Sequence, residues 1–309
     1  MKKTVVVIVG PTAVGKTKLS IEMAKRFSGE IISGDSMQVY KGMDIGTAKI
    51  HDRDMQGIPH YMIDIKEPDE NFSVADFQSY VQSYIEDITA RDHLPIIVGG
   101  SGLYIQAALY DYNFAEQKRD PNYTYALEQR IEQEGIMPVY EELKKIDPEQ
   151  ADKIHPNNHR RVIRALEIYE TTGQTMTEHH RTQQQKESIY HPVFIGLEME
   201  RQLLYKRINQ RVDEMIEQGL IEEVKSLYNR GYRNCQSMKA IGYKEFIPYF
   251  EGNLTLEECI VRLKRNSRRY AKRQYTWFKN QLDIQWYSVH PKAIHVTFEK
   301  ILTDFAGIV

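Results

Sequence analysis

The stretch Gly10-Pro11-Thr12-Ala13-Val14-Gly15-Lys16-Thr17 permits few folds because of what stands on either side of it. Before it runs Thr4-Val5-Val6-Val7-Ile8-Val9, β-branched and apolar without alternation, the pattern of a strand buried on both faces. After it, residues 17–27 read as a helix with Leu19, Met23, Ala24 and Phe27 as apolar positions and Ser28-Gly29 as the stop. Strand, glycine-rich turn and helix in that order make an anion cradle: the glycines let successive N–H groups point inward at the positive end of the helix dipole. Lys16 adds a full charge, and Thr17 a hydroxyl suited to a phosphate-bound magnesium ion. The pattern predicts a phosphate-binding loop without saying which phosphate it holds.

The alternation continues. Residues 30–33 predict a second strand, 60–65 a third and 95–98 another buried one, with an amphipathic helix over 73–88. This order predicts an α/β fold, a P-loop-type parallel sheet core covered by helices. Ligands of such sheets bind outside the carboxyl ends of the strands, so Asp35 is expected to face the same crevice as the phosphate loop. Asp35 can either orient magnesium and backbone amides or take a proton from a nucleophile. Ser101, in the second glycine-rich turn Gly99-Gly100-Ser101-Gly102, either donates to a phosphate oxygen or caps the helix that follows.

Past residue 110 the texture changes to polar, helix-patterned sequence punctuated by Pro121, Gly135, Pro138, Pro148, Pro156 and Gly173. The expected organisation is a catalytic core from 1–110 and 191–309, interrupted by an inserted all-helical domain at 111–190. A strand at 192–197 returns the chain to the core, and helices follow over 199–218, 220–230 and 254–280. Arg207 and Arg211, four apart on one helix face, either grip a pyrophosphate or lie on a solvated surface.

With 27% charged and 41% hydrophobic residues the composition is that of a soluble globular protein; no apolar run is long enough for a membrane span, and no export signal is read. Cys235 and Cys259, the only cysteines, form no paired motif, so neither a disulfide framework nor a zinc site is expected and a cytoplasmic location fits. The net charge of −2 hides a strong asymmetry. Between 259 and 282 stand eight bases (Arg262, Lys264, Arg265, Arg268, Arg269, Lys272, Arg273 and Lys279) and no acid, with Tyr270, Tyr275, Trp277 and Phe278 among them. The cations point to nucleic acid, while the aromatics are expected mostly in the core. His155, His159, Arg160, Arg161 and Arg164 form a second positive cluster, which either follows a phosphate backbone or lies on a solvated surface, and His60 reads as a structural histidine.

Taken together these stretches resemble the tRNA dimethylallyltransferase (tRNA isopentenyltransferase) family of the bacterial type. The resemblance rests on GPTAVGKT at 10–17, GDSMQVYKGMDIGTAK at 34–49, VGGSGLYI at 98–105, HPNNHRRVIRALE at 155–167, KAIGYKE at 239–245 and RNSRRYAKRQYTWF at 265–278, and so covers nearly the whole chain. It implies transfer of a dimethylallyl group from dimethylallyl diphosphate to the exocyclic amine of the tRNA adenine 3′ of the anticodon, with Mg2+ as cofactor. It implies further that Asp35 is the general base, that Ser101 and Lys16 act at the breaking bond, and that Gly10, Thr12, Ala13, Val14, Gly15, Lys16 and Thr17 hold the diphosphate together with Arg207 or Arg211, Thr17 being the metal contact. Asp35, Ser36, Met37, Gln38 and Ser101 are implied to meet the target nucleotide. His159, Arg160, Arg161, Lys239, Gly242, Tyr243, Lys244, Arg268 and Arg269 are implied to meet the rest of the anticodon stem-loop. A monomer acting on a flipped adenine, between the core and the inserted helices, is expected. Departures are mild: Ser101 stands for a usual threonine, Tyr61 for the second of two histidines, Asn158 for aspartate and Ser267 for threonine.

Overall fold

Every strand pairs parallel in one sheet of order β3-β2-β4-β1-β5-β6, formed by β1 (Thr4–Val9), β2 (Gly29–Gly34), β3 (His60–Tyr61), β4 (Leu94–Gly99), β5 (His191–Glu198) and β6 (Gln285–Ser288). This computed structural model describes residues 2–110, 112, 120–184 and 187–308; the expected boundary at 111 lies outside them. The chain divides into two compact units, Met1–Leu109 with Ile189–Val309, and Tyr110–Ser188.

The first unit holds the sheet and helices α1 (Lys16–Arg26), α2 (Asp52–Met55), α3 (Val74–Ala90) and α4 (Gly102–Leu109). The second is all-helical among its described residues: α5 (Pro121–Glu134), α6 (Ile136–Ile146), α7 (Pro148–Lys153), α8 (His159–Thr172) and α9 (Met176–Gln184), around Val139, Leu143, Val162 and Leu166. The first unit resumes with β5, α10 (Arg201–Glu217), α11 (Leu220–Asn229), α12 (Ile247–Phe250), α13 (Leu256–Gln281), β6 and α14 (Ile294–Ala306).

Val5 to Val9 are fully buried, as a central parallel strand covered on both faces requires. The expected third strand shrinks to two residues because Met62 and Asp64 adopt φ of 65° and 54°, which takes the chain off the sheet edge. The 254–280 pattern becomes the 26-residue helix α13, opened by a capping box between Thr255 and Glu258. Four elements carried no sequence expectation: the short helices α2 and α12, and β6 and α14. Phe298, Ile301, Leu302 and Phe305 of α14 join Val6, Ile8, Leu19, Met23 and Ile208 in one core, and a Cβ on Gly15 would lie 3.3 Å from Ile294 and 3.7 Å from Phe298, so α14 backs the phosphate loop. Phe298→Ala is expected to cost about 3–5 kcal/mol in urea unfolding. Val296→Ala, on the exposed side of the same helix, is expected to stay within about 0.5 kcal/mol.

Candidate active site

The loop after β1 is shaped by close backbone packing. A Cβ on Gly10 would sit 2.4 Å from the Leu197 carbonyl oxygen on β5, so only glycine fits there. Ala13 (φ 65°) and Gly15 (φ 114°) take left-handed conformations that turn the loop; for Ala13 that costs on the order of 1 kcal/mol. Lys16 folds back over it, its Nζ donating at 2.9 Å to the carbonyls of both Gly10 and Pro11.

Arg207 and Arg211 both reach this loop rather than solvent. Arg207 Nε donates to the Ala13 carbonyl at 3.0 Å, and an Arg211 Nη approaches Thr12 Oγ1 at 3.4 Å. Gln274 of α13 ties the two glycine-rich turns together, its Oε1 accepting from Thr12 N–H at 3.0 Å and its Nε2 donating to the Gly100 carbonyl at 3.2 Å.

At the end of β2, Asp35 Oδ1 accepts from the Met37 N–H at 2.9 Å, an Asx turn that holds the carboxylate in place. Ser101 anchors to the same turn: its N–H donates to the Gly34 carbonyl at 3.2 Å and its Oγ accepts from the Ser36 N–H at 3.3 Å. Gln38 is held at both ends, accepting from Ser33 Oγ at 2.7 Å and donating to the Thr47 and Ala48 carbonyls. The loop, Asp35 and Ser101 thus converge, all within the first unit.

Two cavities meet at this point. One, of about 430 Å³, is lined by Thr12, Ala13, Gly15, Lys16, Thr17, Asp35, Arg207 and Arg211; the other, of about 330 Å³, by Ser36, Met37, Lys239, Lys244, Leu263 and Arg273 among others. Thr12, Asp35, Arg211 and Tyr270 line both. Burial pushes the Lys16 ammonium down to about 7, with the charge of Arg211 adding to the effect and Asp35 opposing it. Burial pushes the Asp35 carboxyl up, against the Met37 N–H, Lys16 and Arg211.

Sequence reasoning missed Gln274 and Tyr270. Of the four aromatics in the basic run, Phe278 is core, and Trp277 lies against Gly102, where a Cβ would meet the indole at 2.0 Å. Tyr275 bonds Glu198, whereas Tyr270 stands in the site, its phenol held by Ser101 and Gln274 and pushed up by burial. Helical phase was the available signal: 270 and 274 are one turn apart and in phase with the buried Leu263, Ala271 and Phe278.

The basic positions divide in two. Lys264 pairs with Asp213 at 2.5 Å, Arg268 donates to Asn209 at 2.6 Å and Lys279 lies 3.4 Å from Glu198, so these three serve the fold. Arg262, Arg265, Arg269, Lys272 and Arg273 form an exposed stripe that makes no salt bridge among the described residues. Around 239–244, Lys239 and Lys244 are exposed, but Gly242 and Tyr243 are buried. The Gly242 N–H goes to Glu245 at 2.9 Å and the Tyr243 hydroxyl to Glu223 at 2.6 Å, so neither faces a ligand. In the second unit His159, Arg160 and Arg161 are exposed in the first turn of α8, whereas Arg164 is spent on buried Glu167 at 2.6 Å. His60 borders the larger cavity and its Nδ1 is 2.8 Å from the Ile58 carbonyl.

A glycine-rich loop with a lysine, two arginines and a carboxylate gather at one end of a parallel sheet, an arrangement suited to a phosphorylated ligand. The IPP transferase family model matches residues 38–281. A tRNA dimethylallyltransferase from Oceanobacillus iheyensis is 63% identical over 308 residues, covering 100% of this chain and 98% of the relative. A solved tRNA isopentenylpyrophosphate transferase from Bacillus halodurans superposes with a TM-score of 0.74 at 52% identity, over 99% of this chain and 96% of that one. A eukaryotic dimethylallyltransferase acting on tRNA superposes with a TM-score of 0.81 at 33% identity, over 97% of this chain and 77% of that one. The chain belongs to the IPP transferase family.

The depressed Lys16 makes anion binding a proton-linked event, because a bound diphosphate favours the charged ammonium. Above its value of about 7 the empty site holds Lys16 largely neutral. Inorganic diphosphate binding at pH 8 should therefore take up close to one proton more in wild type than in Lys16→Arg, where only the ligand's own ionisation remains, measured by calorimetry in buffers of different ionisation enthalpy. Uptake from this group should fall towards zero at pH 6, and disappear at both pH values in Lys16→Arg, which cannot titrate in this range.

Proposed function

We propose that this protein transfers the dimethylallyl group of dimethylallyl diphosphate to the exocyclic amine of the tRNA adenine 3′ of the anticodon. The observation that carries the reading is the meeting of the two cavities at Asp35, one side lined by the phosphate loop and arginines, the other by Ser36, Met37, Lys239 and Lys244. The donor diphosphate lies on the loop amides, with Lys16, Arg207 and Arg211 balancing its charge. The adenine enters from the other side, against Asp35, Ser36, Met37 and Gln38. Its amine nitrogen bonds to C1 of the allyl group while the C1–O bond breaks and its electron pair leaves with the diphosphate. The Asp35 carboxylate takes the amine proton; burial raises its basicity towards what a general base needs. Ser101 donates to the departing diphosphate oxygen.

The exposed Thr17 hydroxyl at the cavity wall fits a magnesium ion shared with diphosphate oxygens, and no cluster of three or more His, Cys, Asp or Glu able to hold a metal by itself occurs among the described residues. Bound there, the ion would neutralise leaving-group charge. Lys239, Lys244, Arg269 and the His159–Arg160–Arg161 turn are assigned to the tRNA backbone, with Arg268 supporting through Asn209. No described helix is long and apolar enough to cross a membrane; the cytoplasmic location and monomeric state belong to the proposal and follow from its tRNA substrate and single-chain site.

Labelled dimethylallyl diphosphate offered with tRNA or with AMP is expected to label tRNA alone; label in AMP, or in neither, overturns the reading. Asp35→Asn should lower kcat by about 10²–10⁴-fold with tRNA affinity nearly unchanged, and lost affinity at normal turnover would reassign Asp35 to binding. The double variant Arg265→Gln/Arg269→Gln should weaken tRNA binding and flatten the slope of log affinity against log salt by about 1–2.

A further inference from the structure

The carboxylate of Glu223, in the first turn of α11, is saturated by four donors. Its Oε2 accepts from the N–H groups of Asp44 at 3.0 Å and Ile45 at 2.9 Å; its Oε1 accepts from the Gly46 N–H at 3.1 Å and the Tyr243 hydroxyl at 2.6 Å. Three consecutive backbone donors converging on one side chain form an anion nest filled from another part of the chain. The Tyr243 ring lies flat enough against the nest that a Cβ on Gly46 would stand 2.5 Å from it.

What this nest holds in place is a wall of the site. Gly46, Thr47 and Ala48 line the smaller cavity, and Thr47 and Ala48 also line the larger. The carbonyls of Thr47 and Ala48, immediately after the nest, accept from Gln38 Nε2 at 3.2 and 3.4 Å. Gln38 Oε1 in turn accepts from Ser33 Oγ at 2.7 Å, and Ser33 Oγ lies 3.4 Å from the Asp35 N–H. An unbroken series of polar contacts thus runs from α11 to the backbone of the carboxylate that takes the proton.

We propose that Glu223 is a positioning residue for prenyl transfer, fixing the 44–48 turn so that Gln38 and Asp35 keep their places at the junction of the two cavities. The role rests on the reaction assigned above. Glu223 itself lines neither cavity and is not among the reacting groups; it acts through the backbone it clamps, Gly46 of the smaller cavity's wall included. Charge-assisted bonds to main-chain N–H groups suit this purpose, since they restrain position without entering the site. Tyr243 is the second half of the clamp and links it to the segment carrying the exposed Lys239 and Lys244.

The test is steady-state kinetics on the full chain, with wild-type label transfer to tRNA as the prior control, so that failure of the reaction assignment is seen separately. Glu223→Ala should lower kcat by about 10- to 100-fold, the cost of misplacing a catalytic group by about 1 Å, while KM for dimethylallyl diphosphate moves less than about 3-fold. Glu223→Gln, which keeps an acceptor for two of the three N–H groups, should fall between wild type and Ala. In combination with Gln38→Ala, Glu223→Ala should add almost nothing to the loss in kcat, because both break the same series. An unchanged kcat in Glu223→Ala overturns the proposal, and so does a multiplicative double-variant loss. If Glu223→Ala fails to fold, the same cycle is run with Glu223→Gln, and a wild-type kcat in that variant overturns it equally.

Discussion

Gly99 stands opposite Val9 on one side and Gly34 on the other, and the rest of the site depends on that three-strand register. A Cβ at Gly99 would fall 2.2 Å from the Gly34 carbonyl oxygen, an approach no other residue allows. Because β1, β2 and β4 end at one level, the loops that leave them start from one edge. Thr12, Asp35 and Ser101, far apart in sequence, become neighbours without any long side chain having to reach. A one-residue slip of β2 against β4 would invert the faces of its side chains and carry Asp35 out of the crevice.

On this edge charge is deliberately out of balance. Lys16, Arg207 and Arg211 surround the loop; Asp35 opposes the lowering of Lys16, and Glu214 and Asp35 together oppose that of Arg211. Burial works against the charge of Lys16 and Arg211 alike, so the empty cradle pays for its preorganisation in disfavoured ionisation. An incoming diphosphate relieves both costs at once, because its oxygens replace water for the donors and its charge offsets the crowding of cations. The same field acts on Asp35 in the opposite sense. Cations hold its pKa down while burial drives it up, and the balance lies above the ordinary carboxylate value. Under the proposed function, a donor diphosphate that neutralises those cations weakens the opposition, and the carboxylate becomes a stronger base as the donor binds.

The sequence made these three groups legible because each follows a strand signal: a buried run, then a glycine or an acid at its end. Residues 10–17, 35 and 101 needed only local pattern. Gln274 and Glu223 could not be found that way, since their partners lie 262 positions away at Thr12 and 177–179 positions away at Asp44 to Gly46. A polar residue on an amphipathic helix reads as solvated until the fold brings a backbone amide to it. β6 escaped for another reason. Gln285–Ser288 is only four residues long, too short for periodicity to show, whereas the 13 residues of α14 do carry Phe298, Ile301, Leu302 and Phe305 in helical phase, a legible pattern from which no expectation was drawn. Within the motifs the errors ran the other way: Gly242 and Tyr243 share a stretch with Lys239 and Lys244 yet face inward, because the turn at Gly242 (φ 101°) packs on Gly46.

Helix α13 shows why such a long element is worth its entropy. One stripe, Cys259, Leu263, Ala271 and Phe278, is buried and sets the helix's rotation. A second, Tyr270 and Gln274, enters the site and bridges its two turns. A third carries Arg262, Arg265, Arg269 and Lys272 outward, the first and last of them separated by roughly 15 Å of helical rise, while Arg273 lies beside Tyr270 at the smaller cavity. Cations alone would hold RNA at any phase along its backbone, since phosphate attraction carries no sequence information. Rotating α13 by one residue would move the charged stripe by about 100° and pull Gln274 from Thr12 and Gly100 together. Sharing one rigid helix therefore couples where the backbone charges lie to where the reactive groups stand. In the reaction proposed above, it turns a non-specific attraction into a defined placement of the target base beside Asp35.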